Sequence, residues 1–160
     1  MKKIIIPTDF TVESLQLIEY AILNFPDTKL DIILVHGFKL PDTRWGLTHF
    51  SALREVNKLN TDAFAKAKNM FVREHSDVIV RLRFELFTGS NSFAFRNFAE
   101  QLGVKDAIVP KGKFLHVDNS KCFDPTRFVK SNIDNVIEIP FELTEEYQKT
   151  KFSLSGLLNL

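Results

Sequence analysis

Met1-Lys2-Lys3-Ile4-Ile5-Ile6-Pro7-Thr8-Asp9 opens the chain, and its reading decides the fold. Three consecutive β-branched apolar residues form a short strand that is apolar on both faces, as a strand inside a parallel sheet must be. Pro7 stops it, having no N–H for the sheet ladder. Thr8-Asp9-Phe10-Thr11 follows, and a helix is expected directly behind it, with an apolar stripe at Leu15, Ile18, Ile22 and Phe25. Thr11 is its expected N-cap, and Glu13 suits the positive end of the helix. A carboxylate, Asp9, therefore stands at the carboxyl end of a central strand, where open α/β sheets bind their ligands.

Outward from that stretch, strands and helices alternate. Leu30 to Val35 reads as a second strand, bounded by His36-Gly37. A connector to about Thr48 contains Pro41, Trp45 and Gly46. One long helix is expected from about Phe50 to His75, its face of Leu53, Val56, Ala63, Ala67 and Met70 broken only by Asn60. Asp77 to Phe87 alternates strictly, with Arg81, Arg83 and Glu85 on one side, as an edge strand does. A helix from about Ser92 to Leu102 should end at Gly103 as its C′ residue. Asp106 to Val109 is a fourth strand stopped by Pro110. Asp124-Pro125 reads as an N-cap and N1 pair opening a short helix, and Val136 to Ile139 as a fifth strand closed by Pro140. This order demands a mostly parallel sheet with right-handed crossovers.

The 160 residues are the size of one domain, with 44% hydrophobic and 26% charged residues, an ordinary globular balance. A net charge of +1 supplies no field for nucleic acid or anionic membrane. Cys122 is the single cysteine, so no intrachain disulfide forms, and a reducing, cytoplasmic setting is expected. No apolar run approaches the ~20 residues of a membrane helix, and nothing at the N-terminus looks like a signal peptide.

Ile5-Ile6-Pro7-Thr8-Asp9-Phe10-Thr11 and its helix, Leu34-Val35-His36 with the following Pro41, and Asp106-Ala107-Ile108-Val109 together resemble the universal stress protein family. The resemblance implies an open five-stranded parallel sheet of order 3-2-1-4-5 with helices on both faces, a Rossmann-like α/β fold, over residues 1–141. It also implies an adenine-nucleotide site. Asp9 and Val35 match the residues that hold adenosine in that family, and Lys111, Gly112 and Lys113 stand where its phosphate loop follows the fourth strand. That loop departs from the family pattern. Only one glycine remains, and Pro110 cannot donate an N–H where donors are required. Where the family has Gly-Ser before the last helix, this chain has Phe123-Asp124-Pro125, and a carboxylate there takes the place of a phosphate.

No other constellation carries chemistry. His36, His49, His75 and His116 lack metal-ligand spacing, and His36 at a strand end reads as a structural hydrogen-bonding residue. Cys122 has no partner histidine in sequence, and no Walker loop or Gly-x-Gly-x-x-Gly exists. The cluster of Phe84, Phe87, Phe93, Phe95 and Phe98 reads as core rather than as a stacking platform. The expectation is a non-enzymatic stress-response or regulatory protein acting through contacts with an unidentified protein partner. It needs no cofactor, and it forms a homodimer through the strand Val136–Pro140. The alternative is an adenine-nucleotide (ATP) binder using Asp9 with Lys111 and Lys113. Residues 142–160, rich in leucine, read either as a frayed tail or as a segment docked on the body or a second subunit.

Overall fold

The Ile4–Ile6 run forms the middle of strand β1 (Lys2–Pro7), and all three side chains are fully buried. A computed structural model describes residues 1–112, 115–117 and 119–140, and the leucine-rich segment 142–160 lies outside them. Strand β1 pairs in parallel with β2 (Leu30–Phe38), from Lys2↔Leu30 to Pro7↔Val35. On its other flank it pairs with β4 (Asp106–Lys111), at Ile4↔Asp106 and Ile5↔Ala107. Strand β3 (Ile79–Phe87) continues the sheet beyond β2, and β6 (Asn135–Pro140) beyond β4, both in parallel register. The path is β3-β2-β1-β4-β6, so the order 3-2-1-4-5 that the resemblance implies is observed, with β6 as its fifth strand.

Alternate residues of the strands feed two cores. Ile4, Ile6, Ile32 and Leu34 meet α1 (Gln16–Asn24) and α4 (Asp62–Glu74) through Leu17, Ile18, Phe64 and Phe71. Ile5, Ile33, Val35 and Val109 meet α5 (Ser92–Leu102) and α6 (Thr126–Asn132) through Phe95, Ala99, Phe128 and Val129. Each fully buried isoleucine contributes about 2 kcal/mol of transfer free energy. Both faces are therefore covered, which is why β1 carries no polar alternation.

Several local expectations are corrected. The chain after Pro41 forms α2 (Arg44–Thr48) and α3 (Ala52–Leu59) before α4, not one helix. The break falls at Asn60-Thr61: Asn60 leaves helical geometry (φ −79, ψ 85), and the Thr61 hydroxyl accepts the Phe64 N–H as a fresh N-cap. Strand β2 runs three residues past Val35. In β3 a register shift between the Leu30 and Asp31 positions admits one extra residue, so Ile79 is buried while Val80 is 54% exposed. Pro110 does not end β4; it lies past the last β1 pair, where β6 still flanks the strand. Helix α6 starts at Thr126 with Pro125 at the cap position, one residue later than expected. Phe93 is exposed and Phe84 belongs to the opposite core, so the five phenylalanines do not form one cluster. The sixth strand, β5 (Cys122–Phe123), was not anticipated: it lies antiparallel on Gly37 and Phe38 of β2.

Candidate functional site

Strand β1 ends at Pro7, and the Thr8 N–H donates to the Val35 carbonyl at 2.8 Å, the last link between β1 and β2. The chain then reverses through Phe10, whose φ of 60° is in the left-handed region that a bulky residue seldom adopts. Its ring holds the turn in place, seated 5.1 Å from His36, 5.5 Å from Phe64 and 5.2 Å from Phe84. Short polar side chains lock the rest. Thr8 Oγ1 accepts the Phe10 N–H, Ser14 Oγ donates to the Thr11 carbonyl, and Thr11 Oγ1 caps the following 3-10 turn (Val12–Leu15) at Ser14. Thr11 is thus a cap as expected, but of this short turn rather than of α1, which begins at Gln16 without a side-chain cap.

Asp9 is engaged on both oxygens. Its Oδ1 accepts the Thr11 N–H at 3.0 Å and the Thr11 hydroxyl at 2.5 Å, and its Oδ2 accepts the His116 N–H at 2.7 Å. His116 belongs to the connection between β4 and α6, more than a hundred residues away in sequence. That connection crosses the carboxyl end of β1, and its β5 segment takes the place on β2 that β1 vacates after Pro7. Gly37 makes this approach possible: a Cβ there would stand 2.4 Å from the Phe123 carbonyl oxygen and 2.6 Å from its ring. Just beyond, Asp124 Oδ1 accepts the Thr126 N–H at 2.8 Å and the Thr126 hydroxyl, so the chain's own carboxylate serves the start of α6.

His36 lies beneath this crossing, 3% exposed. Its Nδ1 is 2.8 Å from the Thr8 carbonyl and therefore carries the proton it donates, the structural bond expected of it. Its Nε2 is buried without a hydrogen-bond partner among the described residues. Burial holds the imidazole below its usual pKa, against the opposing effects of the Thr8 bond and of the Asp9 and Asp124 charges. The Cys122 thiol is pushed up by burial, which suits a core residue rather than a nucleophile.

Of the other residues expected at the site, Val35, Lys111 and Gly112 are described. Val35 is buried in the α5–α6 core, and its carbonyl is taken by Thr8. Lys111 is exposed at the end of β4, opposite Pro140. Gly112 has a φ of 77° and open space where a side chain would stand. Lys113 lies outside the described residues. The structure thus joins Asp9 to Val35 through Thr8, while Gly37, His116 and Phe123 complete the site without having been singled out. The one signal for them was glycine directly after a buried histidine at a strand end. Among the described residues no three His, Cys, Asp or Glu side chains converge as metal ligands would.

No family model and no curated protein matches the sequence. Solved structures do match. The hypothetical protein MJ0577, known from a structure-based assignment of biochemical function, superposes with a TM-score of 0.52 at 20% identity, covering 89% of this chain and 98% of that one. The universal stress protein UspA from Lactobacillus plantarum gives 0.47 at 16% identity over 88% and 97% of the two chains. A universal stress protein in complex with cAMP gives 0.47 at 12% identity over 86% and 96%. The first of these likenesses shows the fold. The molecule has a Rossmann-like α/β fold, a parallel sheet covered by helices on both faces.

Proposed function

We propose that this chain is a divergent universal stress protein, cytoplasmic and non-catalytic, that acts as a homodimer through protein contacts and binds adenine nucleotide weakly or not at all. The observation that carries the reading is the engagement of Asp9 by His116. The carboxylate that would receive a ligand hydroxyl already accepts a main-chain N–H at 2.7 Å from the connection crossing the cleft. A ligand must displace that charge-assisted bond, worth about 1.5–3 kcal/mol, which weakens binding roughly ten- to hundredfold. It must also contend with Phe123 over Gly37 and with the Asp124 carboxylate at α6, and Pro110 offers no N–H to a phosphate.

The absence of catalysis is supported by the groups that remain: a buried thiol with a raised pKa, and a buried imidazole whose donor is spent on a carbonyl. The dimer is supported by β6, whose outer flank pairs with nothing among the described residues. Calorimetric titration with Mg-ATP tests the nucleotide half. No saturable heat is expected at submillimolar concentration. A dissociation constant of about 10 μM or tighter overturns the reading in favour of an adenine-nucleotide-binding protein using Asp9 with Lys111 and Lys113.

A further inference from the structure

A cavity of about 640 Å³ opens at the carboxyl ends of β2 and β3, beside β5. That volume is within the roughly 300–1,000 Å³ of small-molecule sites. None of Asp9, Val35, Lys111 and Gly112 contributes to its wall. Its floor is aromatic and firmly held. Phe123 and Phe128 lie 6.3 Å apart edge to face, and Phe87 packs 6.1 Å and 5.4 Å from them. Phe87 rests in turn on Phe95 and Phe98. Gly89 closes the β3 side, since a Cβ there would stand 2.6 Å from the Ala94 Cβ and 2.9 Å from the Phe87 ring.

The rim has the opposite character. Arg127 and Lys39 are exposed there, with Thr88 and Ser90 across from them. The Arg127 guanidinium sits 4.8 Å from the Phe128 ring centre, a cation–π contact that positions the fork, and among the described residues its N–H donors have no partner. Among the described residues neither Arg127 nor Lys39 forms an ion pair. Two carboxylates, Asp42 and Asp124, share the wall with these cations; Asp124 Oδ1 is held by Thr126 at the start of α6, and among the described residues neither carboxylate pairs with Arg127 or Lys39. An aromatic floor beneath unpaired cationic donors selects one chemistry.

We propose that this cavity binds a small aromatic anion, its ring on Phe123 and Phe128 and its acid group on Arg127 and Lys39. The site shares Phe123 and Asp124 with the cleft already described but not Asp9, Val35, Lys111 or Gly112, so Asp9→Ala separates the two readings. The test titrates the full chain with 8-anilinonaphthalene-1-sulfonate, read by fluorescence and by backbone amide shifts. One saturable site per chain is expected, with a dissociation constant on the order of 10 μM and shifts centred on Thr88, Gly89, Ser90 and Arg127. Arg127→Gln, a change at an exposed position, is expected to weaken binding about tenfold through loss of the charged fork. Lys39→Gln is expected to weaken it by a smaller factor. The uncharged N-phenyl-1-naphthylamine should bind about tenfold more weakly than the sulfonate, and Asp9→Ala should change nothing. Non-saturating fluorescence, equal binding of the uncharged analogue, indifference to Arg127→Gln, or shifts centred on Trp45 and His49 would each overturn the proposal. Failure of the ATP expectation would instead register at Asp9→Ala and leave Arg127→Gln silent.

Discussion

Gly37 and Phe123 are in contact so close that only a glycine fits: the missing Cβ would fall 2.4 Å from the Phe123 carbonyl oxygen. The nearest atom is main-chain and cannot yield by a rotamer change, and the Phe123 ring at 2.6 Å would have to move as well. Gly37→Ala is therefore expected to destabilise the fold by about 1–3 kcal/mol, the usual range for forced overpacking. Urea unfolding followed by far-UV dichroism measures it. A midpoint unchanged from the parent would mean that β5 does not sit against β2 in solution.

His36 predicts a slope on the mildly acidic side of neutrality. Its folded pKa is lowered by burial, so the unfolded chain binds more protons once the pH falls below about 6.5. The stability tied to its neutral form is complete above that value and is lost progressively as the pH falls toward the lowered folded pKa. His36→Phe removes the titrating group, and thermal unfolding between pH 7.5 and 5 should lose that part of its pH dependence. An identical slope in the variant would place the titration elsewhere.

Asp31 predicts a second slope, further into acid. It is fully buried and receives two hydrogen bonds from Arg81, at 3.3 Å and 2.7 Å. The side-chain hydrogen bond from Arg81 is the largest cause of its lowered pKa. This contribution is present above the ordinary aspartate value of about 3.9 and disappears as the pH drops through the lowered folded value. Arg81→Leu leaves a buried carboxylate short of its partner, so the melting temperature at pH 7 should fall and the acid slope should flatten. Double-variant comparison with Asp31→Asn checks the coupling: independent, additive losses would contradict it.

Ile137 tests the oligomer. In the proposed dimer, Ile137→Lys buries an unpaired charge at the two-fold axis, and light scattering at tens of micromolar should then report the 18.4 kDa monomer. The parent protein should scatter at twice that mass. A variant that stays dimeric moves the interface away from β6.

The parallel sheet was legible because its evidence is local. Ile4-Ile5-Ile6 can hardly be anything but a doubly covered strand, and Arg81, Arg83 and Glu85 mark an edge by their charge. The Asp9-Phe10-Thr11 turn was legible for the same reason: the threonine cap and the carboxylate sit within three residues of each other. The division at Asn60-Thr61 was harder, because the apolar face runs through it and only the capping chemistry shows the break. The short β5 strand was not readable at all. Two residues carry no period, and its partner Gly37 is 86 positions away. The site closes by a contact of that kind, so neither the capture of Asp9 by His116 nor the cavity beyond Phe123 could be seen from spacing alone.

The left-handed turn at Phe10 places the aim of Asp9 under remote control. Local bonds to Thr8 and Asp9 hold the turn, and the ring wedged among His36, Phe64 and Phe84 fixes Phe10 within it. Over evolutionary time the cleft can therefore be retuned without any change at its surface. A smaller residue at position 64 or 84 would let the ring settle inward, the turn unwind toward ordinary dihedrals, and the carboxylate swing away from His116. Descendants that differ only in buried hydrophobic residues could thus differ in whether the cleft stands closed or open to a guest.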